Sequence, residues 1–293
     1  MKRTLFTAVL PRTPGAPAAA GRDQGRAAYA RGDYAAALRE LRPLAEKGEA
    51  DAQSYLGTMY MNGLGVAMDD AEAAIWFRRA GDQGLALAQS GLGAMYANGR
   101  GVARDDAQAV AWYRRAADQG EAKAQLNLGA MYAEGRGVAR DDAEAMKWYR
   151  RAADQGEALA QLNLGVIYEN GRGVARDDAQ AAIWYRCAAE QGEAHAQYYL
   201  GFMYEEGRGV ARNFAEGVTW FHRAAEQGHD GAQYSLGVMY EKGRGIAKDD
   251  AEAVTWFRRA AEQGEAKAQY NLALKYEEGV GVAQDYAEAL KWY

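Results

Sequence analysis

All seven tryptophans of the chain recur at a single spacing of 36 residues. They are Trp76, Trp112, Trp148, Trp184, Trp220, Trp256 and Trp292. A fixed period of this length is the sequence signature of a tandem array of one small structural unit. Such units contact mainly their neighbours and present an extended surface instead of one closed core. The period therefore predicts a repeat protein that holds partners, and it argues against an enclosed catalytic pocket.

One copy, residues 157–192, shows how each unit is expected to fold. Four apolar residues at positions i, i+4, i+7 and i+8 form a stripe on one face of a first helix: Ala160, Leu164, Ile167 and Tyr168. Gly165 lies inside this helix at a cost of about 1 kcal/mol relative to alanine. Its recurrence in the other copies predicts a close approach to a neighbouring helix.

A link with two glycines, Gly171 and Gly173, follows the first helix and suits a helix end that needs a positive φ. Asp177 or Asp178 then begins a second helix, as an N-cap or as a first-turn carboxylate. This helix carries its own apolar stripe: Ala181, Trp184, Tyr185 and Ala188. Each unit is thus a helical hairpin too small to bury its own faces, and stacking supplies the core.

The chain divides into three parts. Residues 1–21 form a leader with the outline of a secretory signal, so we expect an exported, periplasmic protein; the alternative is a disordered leader on a cytoplasmic protein. Residues 22–48 are predicted to be a capping helix pair, because end repeats are usually atypical. Residues 49–293 hold seven units, the last one truncated. No apolar run approaches the ~18 residues that span a bilayer, so no membrane span is predicted.

The seventh unit departs from the others at three positions. Ala273 replaces the glycine of the first helix, Lys275 replaces a methionine, and Val280 replaces the arginine of the link. These exchanges mark the last unit as atypical.

Several kinds of chemistry are disfavoured by the composition. The net charge of −5 differs from the basic balance of general nucleic-acid binders. Cys187 is the only cysteine, which excludes an internal disulfide, and it is interpreted as a tolerated surface substitution in a column of arginines. The three histidines, His195, His222 and His229, lack the spacing of metal ligands. The Gly-x-Gly links lack the lysine and strand of a phosphate-binding loop, so no cofactor or metal is expected.

Two charged ladders recur with the period. Paired aspartates such as Asp177-Asp178 could be read as acid/base pairs, but their place at each helix start favours capping. Arginines of the links could meet a phosphate backbone or an anionic glycan: Arg100, Arg136, Arg172, Arg208 and Arg244. Neighbouring aspartates instead favour local ion pairs.

The repeated string resembles the Sel1-like repeat, a branch of the tetratricopeptide-type helical repeats, over residues 49–293. The third copy matches the motif at Gln125, Leu128, Gly129, Met131, Tyr132, Gly135, Gly137, Ala143, Trp148, Tyr149, Ala152, Ala153 and Gly156. The capping pair is closer to an ordinary tetratricopeptide unit. The resemblance implies an all-α, right-handed superhelical solenoid whose first helices line the concave side. It also implies an adaptor role in assembly, secretion, envelope or signalling systems.

Some bacterial members of that family, rich in cysteine, are linked to penicillin binding and β-lactam hydrolysis, and carry a disulfide in each repeat. The single cysteine of this chain departs from that branch.

Four columns of first-helix positions vary between copies and are expected to be unburied in the concave groove. They start at Ser54, Thr58, Met61 and Asn62 and recur every 36 residues. In the C-terminal copies they supply the predicted partner-binding residues: Tyr198, Phe202, Tyr234, Tyr270, Glu169, Glu205, Glu241 and Glu277. Rigid aromatic rings favour binding hot spots, and carboxylates at the rim steer a basic partner. Repeats 4–7 are therefore predicted to bind a segment that carries apolar residues and Lys or Arg.

The sequence thus favours a non-enzymatic scaffold or adaptor that binds a protein or peptide. An envelope-associated glycan or peptidoglycan binder is the alternative. A β-lactam-recognising hydrolase is disfavoured, because no nucleophile and base are arranged together.

Overall fold

The computed structural model of the protein describes residues 17–293, which contain sixteen helices and no strand. The first hairpin consists of α1 (Pro17–Ala30) and α2 (Tyr34–Glu46). The first sixteen residues of the expected leader, with its signal-like start, lie outside the described residues. None of the described helices combines the length and apolar character that crossing a bilayer requires.

From residue 50 onward the chain is a series of helix pairs joined by short links. The first helices are α3 (Ala50–Asn62), α5 (Ala86–Asn98), α7 (Ala122–Glu134), α9 (Ala158–Asn170), α11 (Ala194–Glu206), α13 (Asp230–Lys242) and α15 (Ala266–Glu278). The second helices are α4 (Asp70–Asp82), α6 (Asp106–Asp118), α8 (Asp142–Asp154), α10 (Asp178–Glu190), α12 (Phe214–Glu226), α14 (Asp250–Glu262) and α16 (Tyr286–Trp292). The predicted all-α fold of tandem helical hairpins is confirmed.

Two compact units are distinguished among the described residues, here called unit 1, which ends at residue 152, and unit 2, residues 153–293. Within each unit, a first helix packs against the second helix of its own repeat. That second helix packs in turn against the first helix of the next repeat. Each unit is therefore held together by contacts between elements that are neighbours in sequence.

The glycine links end the first helices as predicted. Gly99 caps α5 in the left-handed conformation, with φ of 64°, and its N–H donates to the carbonyl of Met95. Gly101 also has a positive φ, of 66°, and a Cβ there would overlap the backbone of Asp70 in the preceding repeat. The second glycine thus lets the link lie directly against the start of the previous second helix.

The first aspartate of each pair is the N-cap of the second helix. Of the two candidates in the fourth repeat, Asp177 is therefore the capping residue, not Asp178. The side chain of Asp177 accepts the backbone N–H of Gln180 at 3.0 Å. The same cap recurs at other second helices: Asp69, Asp105, Asp141, Asp249 and Asp285. Capping, as predicted, accounts for these residues.

In the first six repeats, the glycine inside the first helix lies against an aromatic ring of the second helix of the same repeat. A Cβ at Gly201 would lie 2.7 Å from the ring of Phe221, and one at Gly237 would lie 2.7 Å from that of Phe257. Phe221 and Phe257 are fully buried. The close approach predicted from the glycine is therefore confirmed, and the aromatic residue after each tryptophan supplies the ring.

The tryptophans connect successive hairpins. Trp112 of α6 joins a core cluster with Phe77 of α4 and Leu92 of α5, so it holds its own repeat against the previous one. Each of the first six Trp-aromatic pairs has at least one buried ring, although Trp184 is only half-buried beside the fully buried Tyr185. The last pair differs. There Trp292 is half-buried and Tyr293 is exposed, because no described helix packs on the outer side of α16.

A ladder of glutamines also crosses from repeat to repeat, a feature that sequence reasoning missed. Gln197, 4% exposed, donates through Nε2 to the carbonyl of Ala189 at 3.1 Å. Its Oε1 accepts from Nε2 of Gln227 at 2.8 Å. Because a buried amide is costly unless its donor and acceptor are both paired, each glutamine fixes the register of its neighbours.

The link arginines form ion pairs with the second aspartate of the preceding repeat. Arg136 lies 2.8 Å from Asp106, and Arg208 lies 3.2 Å from Asp178. Hydrogen bonds from Arg176 and Arg208 lower the pKa of Asp178 to about 2. The prediction of local ion pairs is confirmed at these positions.

The exchanges in the seventh unit compensate for one another. Val280 has replaced the link arginine, and Lys275 reaches the same place from within α15. Its Nζ lies 2.6 Å from Glu241 and 3.5 Å from Asp250, and the side chain is only 8% exposed. Lys275 thus takes over the charge that an arginine at position 280 would supply.

We expect Gly201→Ala to destabilise unit 2 by about 1–3 kcal/mol, because the new methyl group overlaps the buried ring of Phe221. The matched control is Gly21→Ala, where the nearest atom, in Leu44, would lie 3.8 Å from the new Cβ. This change is expected to be neutral or stabilising by up to about 1 kcal/mol through helix propensity. Urea denaturation measures both; equal effects at the two sites would refute the close-packing account.

We expect Lys275→Met to destabilise unit 2 by about 1–2 kcal/mol, because Glu241 and Asp250 lose a shared cation. Adding Val280→Arg should restore at least half of the loss, since an arginine at position 280 repeats the placement of Arg208. Val280→Arg alone is the control and should bring no gain. A double variant no more stable than Lys275→Met would contradict the compensation.

Candidate functional site

The four variable columns of the first helices differ in burial. Positions of the fourth column are exposed from Asn98 onward, and those of the second are half-buried throughout. The expectation that all four columns are unburied is wrong in unit 1, where Ser54, Ser90, Met61 and Ala97 are buried. Met61, for example, belongs to a core cluster with Phe77 and Leu92. Its backbone carbonyl oxygen also accepts a hydrogen bond from Arg100 at 3.3 Å.

In unit 2 the predicted aromatic residues lie on the first helices and are partly accessible. Tyr198, Phe202 and Tyr234 are half-buried, and Tyr270 is 55% exposed. We call these four residues the aromatic patch. The rings of Tyr198 and Phe202 contact each other edge to face, with centroids 5.0 Å apart. Tyr234 and Tyr270 instead pack near other rings, those of Phe257 and Tyr293.

The Tyr198 ring packs against the first residues of the next repeat. It stacks on the imidazole of His229 at 4.5 Å, and a Cβ at Gly231 would lie 3.0 Å from its hydroxyl. His229 begins α13 as its N-cap, where most other repeats have glutamate. The sequence signal was the local change to His229-Asp230-Gly231, which a search of the histidines for metal-ligand spacing does not detect.

The predicted row of glutamates is largely paired within the chain. Glu169 lies 3.0 Å from Arg208 and accepts a hydrogen bond from the hydroxyl of Tyr185 at 2.6 Å. Glu205 lies 3.8 Å from Arg244.

Farther along the row, Glu241 lies 2.6 Å from Lys275. Glu277 accepts from the hydroxyl of Tyr293 at 2.6 Å. Only Glu277 of this row is exposed. The link cations of the following repeat therefore neutralise part of the row, which the sequence analysis did not foresee.

Acidic residues cluster where the first helices of unit 2 end. Six glutamates lie at the ends of its first helices: Glu169, Glu205, Glu206, Glu241, Glu277 and Glu278. At least six cations act on them: Arg176, Arg208, Arg212, Lys242, Arg244 and Lys275. Arg176 and Arg208 are shared with Asp178, and Lys275 is shared with Asp250. Burial also raises the pKa of Glu205.

A small cavity of about 300 Å³ lies near α10. Cys187 lines it with Ile183 and Val210, and is itself half-buried. In other repeats this column holds an arginine that covers the tryptophan of its helix, as Arg223 does over Trp220 at 4.6 Å. The cavity therefore marks where a large side chain has become a small one.

The histidines are engaged in local contacts. His195 meets His229 edge to face at 4.8 Å, and His222 meets Trp256 at 5.6 Å. Within residues 17–293, no three or more His, Cys, Asp or Glu side chains come together in a way that could hold a metal ion.

Two of the solved structures that are similar to this chain come from bacteria. The first is c5321, a protective antigen present in uropathogenic Escherichia coli strains that displays an SLR fold; it is 41% identical, with a TM-score of 0.87. That match covers 94% of this chain and 60% of c5321, so the chain spans less than two thirds of that protein's length. A Sel1 repeat protein from Oxalobacter formigenes is 32% identical, with a TM-score of 0.74, over 82% of this chain and 96% of that one.

A search of curated proteins found no match. The family profile described as Sel1 repeat matches seven consecutive segments: residues 50–85, 86–121, 122–157, 158–193, 194–229, 231–265 and 266–293. These segments span most of the chain and coincide with the helical hairpins of the structure. The chain therefore belongs to the Sel1 repeat family.

Proposed function

We propose that the protein is a non-enzymatic scaffold that binds a protein or peptide partner on the first-helix face of unit 2. The observation that carries this proposal is the aromatic patch, in which rings from three successive first helices remain partly accessible. Proteins built from Sel1-like repeats generally mediate protein–protein interactions. A binding role on the helix face fits that general property.

The partly buried rings suit a binding surface. Tyr198 is held by His229 and Phe202, so its orientation is largely set before a partner arrives. A rigid aromatic ring contributes contact area with little loss of side-chain entropy, which is why tyrosine is enriched at hot spots. The increasing exposure from Tyr198 to Tyr270 leaves room for apolar side chains of a partner.

The charge of the same face favours a partner with basic residues. Glu206, Glu277 and Glu278 are exposed beside the aromatic patch. Among the described residues, Glu277 has no cation within 4.0 Å, so its carboxylate is available to a lysine or arginine of a ligand. Exposed carboxylates of this kind act mainly on the association rate and on the choice of partner. We therefore propose an extended segment that combines apolar residues with Lys or Arg.

The test selects ligands from a random peptide library displayed on phage and measures their affinity for variants of the full chain. The binding variant is Tyr198→Ser, Tyr234→Ser and Tyr270→Ser together, since serine occupies this column at Ser54 and Ser90. We expect selected peptides to be rich in Lys or Arg and to bind the triple variant at least tenfold more weakly.

The matched control is Ile183→Ser, which removes an apolar side chain that is 51% exposed on a second helix. It should leave the affinity unchanged. Circular dichroism shows whether each variant keeps its helix content. Peptides that bind the folded triple variant as tightly as the wild type, or that are predominantly acidic, would overturn the proposal.

A further inference from the structure

The contact between Tyr198 and the start of α13 depends on the protonation state of one imidazole. Nδ1 of His229 accepts the backbone N–H of Ala232 at 3.2 Å, which is the N-cap hydrogen bond of α13. An imidazole nitrogen can accept only while it carries no proton. The Tyr198 ring stacks on this same imidazole at 4.5 Å. The cap and the aromatic contact therefore share one titratable group.

The charged groups around His229 come from two repeats. His195 of α11 meets it edge to face at 4.8 Å, and Glu193 lies 3.3 Å from His195. On its own side, Asp230 lies 3.7 Å from Nδ1 of His229. The two carboxylates favour a protonated imidazole, whereas His195 and the positive end of the α13 dipole oppose it.

Burial is the largest influence and lowers the pKa of His229, and repulsion from His195 lowers it further. The folded chain therefore favours the neutral form. The stability that this histidine contributes is fully present above its unfolded pKa of about 6.5 and falls as the pH drops below that value. Protonation would remove the cap acceptor and place a cation at a helix N-terminus beside a second histidine.

We propose that His229 and His195 form a pH-sensitive support for Tyr198, which holds the ring at neutral pH and releases it on mild acidification. Release means that the N-cap hydrogen bond to Ala232 opens and that the imidazole, no longer held by this bond, leaves the position on which the Tyr198 ring stacks. This pH-sensitive support is inferred from the contacts of His229 and does not depend on the proposed function. Its consequence, weaker binding of a ligand to the aromatic patch at acidic pH, rests on the proposed function.

Three residues at the start of the sixth repeat differ from those of the other repeats, and they lie where the Tyr198 ring packs. His229 stands where five other repeats have glutamate: Glu49, Glu121, Glu157, Glu193 and Glu265. Asp230 stands where the other first helices begin with alanine. Gly231 leaves space for the hydroxyl of Tyr198, which any larger side chain would fill.

The test is an NMR titration of the full chain from pH 7.5 to pH 5, with isotope-labelled histidine, tyrosine and alanine. In the wild type, the Tyr198 ring and the Ala232 amide should shift with the same midpoint as the His229 imidazole. The Ala232 amide should exchange about fivefold faster at the acidic end, after correction for intrinsic exchange, as expected for a lost cap. In His229→Gln, which keeps an uncharged acceptor, neither signal should move.

A Tyr198 ring and an Ala232 amide that stay unchanged while His229 protonates would overturn the proposal. So would shifts of the same size in His229→Gln. In a second arm, a peptide selected on the wild type at pH 7.5 is measured again at pH 5.5 on both proteins. Coupled shifts without any peptide binding would refute the proposed function and leave the pH-sensitive support standing. Binding without coupled shifts would refute the pH-sensitive support alone.

Discussion

The contact between a helix glycine and a buried aromatic ring is the constraint on which the rest of each unit depends. Gly201 lets α12 approach α11 so closely that the ring of Phe221 has no room for a methyl group beside it. A hairpin of two 13-residue helices has too little surface to bury its own apolar stripes. Close packing inside a repeat therefore buries the apolar stripes only when the next hairpin covers the apolar surface that remains exposed.

Three further interactions connect one hairpin to the next, and each has a different physical basis. Tryptophans such as Trp112 bury apolar surface against the preceding repeat. Glutamines such as Gln197 pair both ends of a buried amide. Link arginines such as Arg208 join carboxylates of the preceding hairpin. Because apolar, polar and ionic contacts all specify the same register, the stacking is defined within each unit.

Much of this arrangement could be predicted from the sequence, because the period places equivalent residues in equivalent surroundings. The spacing of Trp76 and its counterparts indicated the hairpins, and Gly165 indicated a close helix contact. The pairing of Lys275 with Glu241 could not be predicted. It depends on a side chain of the seventh repeat reaching carboxylates of the sixth, and a pattern within one repeat contains no such information.

The same limit applies to the candidate site. The aromatic patch was found because its columns vary between copies, and the first column changes to tyrosine at Tyr198, after Leu162. The glutamates were read as free because their partners lie in the link of the following repeat, 39 residues away from Glu169 in the case of Arg208 (208 − 169). The role of His229 was missed because a single histidine shows no motif, and its meaning lies in the ring stacked on it.

The most direct test of the central claim is hydrogen–deuterium exchange of the full chain with and without a bound peptide. The stacked hairpins should leave the first-helix face of unit 2 as the surface that a partner covers. Added protection should therefore concentrate in α11, α13 and α15. Protection concentrated in the second helices α10, α12 and α14, with the first helices unchanged, would contradict the account.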